Sequence, residues 1–394
     1  GQSPGPTIEC VEGDRLRIFV TNRLPEHTTI HWHGVLLPNG MDGVGGLTQP
    51  HIGAGKTFVY EFEARRKIVA SAEGYSPKVW ATFAEMGLTA LPLSPDYGGF
   101  GGGAVDLMGA MEAFGEALVV EPLVPTLLGA LLVAKGGSAE LKQAVLPAVA
   151  EGKMKLAFAH AEPGSRHDLA HVKAKAGGGT VEGLKSAVVG APMADKIVVS
   201  ALGASGVGLY LVDQKDVASE SFQTIDEHRA ADVAFRGAKA TPLQGGLALV
   251  EEVIDFATAL ACAEAAGAMK FACDTTLEYL KTRKQFGVPI GTFQALQHRI
   301  VDLYIAQEQA RSMACLACSK VDSHENPADR KRAVSAAKIK VADNARLVSQ
   351  EAVQLHGGMG MSEELKISHT FRRLTVLAQQ YGDADHHLER FASL

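Results

Sequence analysis

The chain changes its pattern of apolar and polar positions twice. Between Arg15 and Asn22 the pattern alternates, with Leu16, Ile18 and Val20 on one face, and this predicts a strand, as does Thr7–Cys10. Turn residues such as Pro38-Asn39-Gly40 separate such runs. From Phe62 to Glu151 the chain is rich in Ala, Leu and Glu and predicts helices, broken once by the glycines of Tyr97–Gly103. From about Lys155 to Ala240 it returns to short apolar runs, Ser186–Gly190, Lys196–Ala201 and Val207–Val212. Glycine clusters such as Gly177-Gly178-Gly179 divide them, which predicts a small β domain. From Gly246 onward Leu249, Val253, Phe256 and Leu260 recur at helical spacing. Asn326-Pro327 is an N-cap followed by a proline suited to a first helical turn, so a helix is expected over Ala328–Leu355, ended by Gly357-Gly358. There is no internal repeat and no low-complexity segment.

Composition narrows the functions open to such a chain. Its 394 residues have room for two or three domains, and 46% hydrophobic content fills real cores. A net charge of −6 offers no basic field to a polynucleotide, so a nucleic acid partner is not expected, and an anionic coenzyme needs local cations. Five cysteines, Cys10, Cys262, Cys273, Cys315 and Cys318, are an odd and sparse set that points to reduced thiols and a cytoplasmic setting. Cys315 and Cys318 lie within a helical run without a second pair at metal spacing, and read as small buried residues. No apolar run approaches the ~20 residues needed to span a bilayer. With no starting Met at Gly1, a fragment is expected, from which an export signal could have been lost.

Three stretches carry chemistry. The first is Arg283-Lys284-Gln285-Phe286-Gly287-Val288-Pro289-Ile290, followed by Phe293-Gln294-Ala295-Leu296-Gln297-His298. The second is Gln354-Leu355-His356-Gly357-Gly358-Met359-Gly360-Met361, and the third Ala161-Glu162-Pro163-Gly164-Ser165. Arg283 can grip a pyrophosphate through two parallel hydrogen bonds, Phe286 offers a face to an adenine, and Gly357 and Gly358 let backbone approach a phosphate or ribose. Each alone has a plainer reading: a surface Arg, a core Phe, a C-cap glycine pair.

Together, in this order and spacing, the three stretches resemble the acyl-CoA dehydrogenase family over about 330 residues. Trp80-Ala81-Thr82-Phe83-Ala84-Glu85-Met86-Gly87 and Tyr97-Gly98-Gly99-Phe100-Gly101-Gly102 resemble its N-terminal helical domain. The resemblance implies a mainly α fold with a central β domain: a helical domain over 60–153, a β domain over 154–240 and a C-terminal four-helix bundle over 246–394. It implies FAD between the β domain and the bundle. Phe158, His160, Ala161, Val189 and Asp385 fall at flavin positions. Arg283, Gln285, Phe286, Gln294, Gln354, Gly357 and Gly358 fall where the ADP half is held across a subunit boundary. The implied reaction removes two hydrogens from Cα and Cβ of an acyl-CoA thioester, a carboxylate taking the α-proton and flavin the hydride. Electron-transfer flavoprotein is the implied acceptor.

Departures from the family pattern bear on the site. The family's Tyr-Glu-Gly-Thr is matched by Tyr381-Gly382-Asp383-Ala384-Asp385-His386-His387-Leu388-Glu389-Arg390. Alignment on Leu388-Glu389-Arg390 puts Asp383 at the catalytic base; alignment on Tyr381 puts Gly382 there and leaves no base; Asp385 is a third choice. Ala187-Val188-Val189 stands where the family often has Trp-Ile-Thr. His160 reads either as a flavin contact or as a packed histidine. These features, with Gly190-Ala191-Pro192 and Ile225-Asp226 followed by Arg229, resemble bacterial small subunits of the pimeloyl-CoA dehydrogenase type, which pair with a larger dehydrogenase subunit. A homo- or hetero-oligomer is therefore expected.

The first 60 residues are a different text. Gly1-Gln2-Ser3-Pro4-Gly5-Pro6-Thr7-Ile8, Thr29-Ile30-His31-Trp32-His33-Gly34, Gly40-Met41-Asp42-Gly43 and Thr48-Gln49-Pro50-His51 resemble the first cupredoxin domain of a multicopper oxidase, over residues 1–59. On a strand His31 and His33 share a face, as copper ligands would. The later ligand motifs of that family are absent, so the cupredoxin segment is expected to be partial, its copper site vestigial and oxidase activity lacking. Tyr60–Arg66 suits both the end of a cupredoxin strand and the start of a dehydrogenase helix, which implies that β text replaces the dehydrogenase's first helix.

Overall fold

The computed structural model describes residues 16–30, 51–62, 65–323 and 326–394. Strand β1 (Leu16–Thr21) pairs antiparallel with β2 (Thr57–Phe62), in register from Leu16↔Phe62 to Thr21↔Thr57. Buried Asn22 donates to the carbonyls of Glu26 and Ile52 at 2.7 and 2.8 Å, closing the chain behind the pair. Helix α1 (Arg65–Ala70) then begins, so the two-way stretch Tyr60–Arg66 ends a strand and opens a helix within seven residues. Helical structure therefore starts at Arg65 rather than Phe62.

Helices α2 (Pro77–Glu85), α3 (Ala104–Ala117), α4 (Leu123–Gly136) and α5 (Ala139–Ala150) follow. Ser76 and Ser138 cap α2 and α5 by accepting from the third residue on, and Pro77 fits a first turn that needs no N–H. The glycine N-cap of α3 has no side chain, and its free N–H groups are met from far along the chain. Asp322 accepts from Ala104 and Val105 at 2.8 and 2.9 Å.

Strands β3 (Leu156–Ala159), β4 (Lys175–Gly177), β5 (Thr180–Val189), β6 (Lys196–Gly203), β7 (Gly206–Asp213), β8 (Ala218–Gln223) and β9 (Arg229–Leu243) form one sheet. The pairings β6–β7–β9–β5–β4–β6 return on themselves, so the sheet closes into a small barrel around Val181, Ile197, Val199, Val233 and Phe235. The barrel accounts for the unbroken apolar run Ile197-Val198-Val199 of β6: Ile197, Val199 and Ala201 face the barrel core while Val198 is buried against the helices.

The remainder is helical. Helix α6 (Leu247–Thr282), the short hairpin β10 (Lys284–Gln285) and β11 (Val288–Pro289), then α7 (Gln294–Asp322), α8 (Pro327–His356), α9 (Lys366–Gln379) and α10 (Ala384–Ala392) complete the chain. The Asn326 cap is present, accepting from Ala328 at 2.9 Å. One apolar core runs from Phe83, Leu107 and Met111 through Leu260, Met269, Leu303 and Val348, binding the first helices to the last. Small residues let α3 and α6 touch. A Cβ on Gly115 would meet the Glu264 carbonyl oxygen at 1.9 Å, and one on Gly267 would meet that of Glu112 at 1.9 Å. Cys318 is buried but Cys315 is exposed, correcting the expectation that both are, because three residues along a helix do not guarantee the same depth. Among the described residues no helix is long and apolar enough to cross a membrane.

Candidate functional site

Two cavities meet where the barrel faces the helices. The first, ≈ 380 Å³, lies between the strand ends Phe158–Ala161 and Ser186–Val189 on one side and Gln379–Tyr381, His386 and His387 on the other. The second, ≈ 360 Å³, is enclosed by α3, the start of α4, the middle of α6 and the Thr224–Arg229 turn. Pro125, Ala187, Val189, Gln379, Gln380 and Tyr381 line both, so the two cavities share a wall.

That wall is built from two irregular pieces of backbone. In β5 the register with β9 slips between Lys185 and Val188, and Ala187 takes a left-handed φ of 50°. A bulge of this kind turns a strand's side chains and commonly borders a site. The Ala187 N–H, freed from the ladder, donates to Asp232 Oδ1 at 2.8 Å. Opposite it, α9 is followed by Tyr381 (φ 61°) and Gly382 (φ 113°), where a Cβ on Gly382 would meet His387 Nε2 at 2.6 Å. Buried Lys338 donates to the carbonyls of Leu377 and, at 2.8 Å, Gln380, a cation placed where the helix dipole is negative. Burial pushes that ammonium down to about 8 and the Tyr381 hydroxyl up to about 12.

Charges lie behind both cavities. Behind the first, Lys185 is fully buried and donates to Glu162 (2.7 Å), Ser200 (3.0 Å) and the His160 carbonyl (2.9 Å). Glu162 also accepts from the N–H groups of Lys173 and Ala174. His160 shares a 2.9 Å bond with Ser200, stacks on Phe158, and is pushed down to about 4 by burial and by Lys185, so it is neutral. At the second, Arg373 bonds Glu264 through two nitrogens at 2.6 and 2.7 Å and Asp226 at 2.6 Å. Burial alone would push Asp226 up; His228 and Arg373 beside it hold it well below the usual carboxylate range.

The residues picked out by sequence divide into two sets. Phe158, His160, Ala161 and Val189 line the first cavity. Arg283, Gln285, Phe286, Gln294, Gln354, Gly357 and Gly358 lie elsewhere and are all exposed, Phe286 to 91% at the tip of the β10–β11 hairpin. A Cβ on Gly357 or Gly358 would meet nothing within 4 Å, so open space stands over that turn. Asp383 caps α10, accepting from the His386 N–H at 2.8 Å; it and exposed Asp385 are not among the residues lining either cavity. His31 and His33 lie outside the described residues. Lys185, Lys338 and Arg373 escaped the sequence reading, since a buried cation looks like a surface one until the chain folds; His167, part-exposed at the first cavity, escaped it too.

The first cavity has a mixed lining. Leu128, Phe158, Val188 and Ile254 supply apolar surface, and Ser186, Arg166 and His167 polar groups.

Comparison with known proteins agrees with this architecture. Residues 57–153 match the family description "Acyl-CoA dehydrogenase, N-terminal domain" and residues 244–393 "Acyl-CoA dehydrogenase, C-terminal domain". Residues 1–72 match "Multicopper oxidase", so the two texts overlap across β2 and α1. The acyl-CoA dehydrogenase IpdE2 of Mycolicibacterium smegmatis is 31% identical over 329 residues, 83% of this chain and 91% of that protein. The L-prolyl-(peptidyl-carrier protein) dehydrogenase of Pseudomonas fluorescens is 29% identical, over 76% of this chain and 84% of its own. Among solved structures, a Tcur3481–Tcur3483 steroid ACAD variant is 30% identical with a TM-score of 0.76, covering 83% of this chain and 91% of its own. The ChsE4–ChsE5 complex from Mycobacterium tuberculosis is 25% identical with a TM-score of 0.76, over 84% and 90%. PigA with FAD and proline matches at 25%, 0.76, 84% and 91%.

Proposed function

Because the chain belongs to the acyl-CoA dehydrogenase family, we propose that it carries out that family's α,β-dehydrogenation across the two joined cavities. It is an FAD-dependent oxidoreductase acting on CH–CH bonds. The observation that carries the finer reading is the shared wall at Ala187 and Tyr381, which lets a flat ring in one cavity lie against a chain in the other. In this reading the isoalloxazine lies in the first cavity, along Phe158, His160, Ala161 and Val189. The acyl chain enters the apolar second cavity between Leu123, Ala257 and Ala261. FAD, when bound, accepts the hydride.

Arg283, Gln285, Phe286, Gln294, Gln354, Gly357 and Gly358 would hold the ADP half of a flavin bound mainly by a neighbouring subunit. Their exposure supports this, since an aromatic ring as open as Phe286 on a short hairpin has its face available to a partner. A larger dehydrogenase subunit is the partner we favour, and electron-transfer flavoprotein the acceptor. Asp383 is the carboxylate assigned to proton transfer, and Asp385 a lesser flavin contact. The sparse thiols fit a cytoplasmic setting, burial pushing Cys273 up to about 12 and leaving it unreactive. For residues 1–59 we keep the reading of a partial cupredoxin segment without a complete copper site.

A second reading is favoured by one observation. Tyr381 lines both cavities, whereas neither Gly382 nor Asp383 lines either, and Asp383 caps α10. On that reading the chain supports a catalytic partner and has no base of its own. Absorbance of the purified chain, alone and co-expressed with a larger dehydrogenase subunit, separates the two. A flavin band near ~450 nm that bleaches anaerobically on adding an acyl-CoA supports catalysis. Asp383→Asn should then slow bleaching by about 10² or more with the band retained. A flavin band that no acyl-CoA bleaches, even with the partner present, would leave only the supporting role.

A further inference from the structure

Behind the first cavity, a buried ammonium and a hydroxyl fix which nitrogen of His160 carries its proton. Lys185 has no exposed surface, and its Nζ is enclosed by three acceptors. They are Glu162 Oε1 at 2.7 Å, the His160 carbonyl at 2.9 Å and Ser200 Oγ at 3.0 Å. Three acceptors occupy every proton of an ammonium, which has no lone pair with which to accept. The Ser200 hydroxyl therefore receives a hydrogen bond from Lys185 and sends its own proton elsewhere. Ser200 is itself fully buried, so solvent does not take that proton. The other partner of its Oγ among the described residues is Nδ1 of His160, at 2.9 Å.

We propose that this relay makes Nδ1 of His160 an acceptor and Nε2 a donor, and that Nε2–H bonds an acceptor atom of the isoalloxazine in the first cavity and favours the reduced flavin. The proposal rests on the flavin reading above and deepens it. His160 is on this account a cofactor contact, with Ser200 and Lys185 as its positioning residues.

The strands place these groups. Ala157 and Ala159 belong to the barrel core, so Phe158 and, one residue past β3, His160 face the other way and line the cavity. On β6 Val199 and Ala201 likewise face the core, which puts Ser200 on the same side as His160. Phe158 stacks on the imidazole with centroids 5.5 Å apart and planes at 27°, so the ring is held on its face by Phe158 and at its edge by Ser200.

The charged groups around the ring are Lys185, Glu162 and Asp168. Burial and then Lys185 push the imidazole down to about 4 against the two carboxylates, so it is neutral at pH 7 and carries one N–H. Leu169, whose backbone favours a proton on the ring, lines the same cavity. A ring system that gains two electrons becomes a better hydrogen-bond acceptor, so a fixed donor beside it stabilises the reduced form more than the oxidised one.

The tautomer is readable by itself. In protein isotope-labelled at the histidine nitrogens, a proton–nitrogen correlation spectrum at pH 7 should show His160 protonated at Nε2 and bare at Nδ1. Loss of the signal in His160→Gln identifies it. Ser200→Ala should show both tautomers; the wild-type tautomer alone would remove Ser200 from the relay and overturn the proposal. Flavin-loaded protein, assembled with a larger dehydrogenase subunit where it needs one, is then reduced anaerobically against a reference dye. His160→Leu, with the flavin band and thermal midpoint retained, should lower the preference for reduced over oxidised FAD about tenfold, a fall of about 30 mV for a two-electron couple. His160→Gln, whose amide still donates, should stay closer to wild type, a difference that a merely structural role would not produce. An Nδ1–H tautomer in the wild-type protein overturns the proposal whether or not any variant folds. Equal potentials in wild type and His160→Leu overturn it and leave the flavin reading standing. A protein that takes up no FAD, alone or with the partner, overturns both.

Discussion

Two buried imidazoles set how this protein responds to acid. His160 is pushed down to about 4, chiefly by burial and further by Lys185, and His387 to about 3 by burial and by Lys338. Both are neutral in the fold, whereas in the unfolded chain each takes a proton near the usual value of about 6.5. The unfolded state therefore binds more protons at every pH between the two values, and stability falls as pH drops from about 6.5 toward 4 for His160 and toward 3 for His387. At pH 5 each contributes a loss of up to about 2 kcal/mol. Urea denaturation at pH 7 and pH 5 should show the midpoint falling, with a smaller fall in His160→Gln. An unchanged midpoint would mean that neither ring is buried as described. At the same scale, Lys185 and Glu162 show why a charge pair at the foot of a site is costly to disturb: neither partner has water to turn to.

At the scale of elements, the contact of α3 with α6 is the most exacting. Gly115 and Gly267 stand reciprocally against backbone oxygens of the facing helix, so a methyl at either has no flexible neighbour to displace. Gly115→Ala and Gly267→Ala should each destabilise by roughly 2–3 kcal/mol despite alanine's better helix propensity. The double variant should lose less than the sum, because a single separation of the helices relieves both clashes. Additive losses in denaturant unfolding would show that the two contacts are independent. The same interface explains why α6 carries Ala257, Ala261, Ala265 and Ala268 where a bundle helix would ordinarily carry leucines: it is approached from several sides at once.

At the scale of the whole molecule, the motif residues divide between two surfaces. One faces inward, where barrel and helices share the wall at Tyr381; the other faces outward on the β10–β11 hairpin and the Gly357 turn. If the outward half serves a neighbour's flavin, Arg283→Ala and Phe286→Ser should weaken flavin retention by about tenfold or more in the assembled protein. Both side chains are exposed, so the unfolding free energy of the single chain should change by less than about 0.5 kcal/mol. Flavin titration and chemical denaturation of the same variants check the two halves of that statement. Retention equal to wild type would remove the hairpin from the cofactor site.

Much of this was legible in the chain itself. Periodicity reports which face of an element is apolar, and so the succession of helices, a β domain and helices followed from local pattern. Asn326 and Gly357 marked the limits of α8 because caps are local chemistry. The motif residues Phe158, His160, Ala161 and Val189 reached the cavity because they lie on or just beyond the ends of β3 and β5, which open onto it. What pattern could not convey was depth and meeting. Lys185, Lys338 and Arg373 are ordinary cations in sequence, and only folding buries them and supplies oxygens distant in the chain: Lys185 within the barrel, Lys338 within the helices, and Arg373 partly from Asp226 across the two. Whether Asp383 or Gly382 stands at the cavity was undecidable from alignment, since a shift of one residue suits both anchors. In the fold neither lines a cavity: Asp383 caps the N-terminus of α10, and its other carboxylate oxygen lies 3.6 Å from His167. Sequence determined the elements and the family because both rest on local order; tertiary structure alone decided the partners, because contacts between distant residues have no local signature.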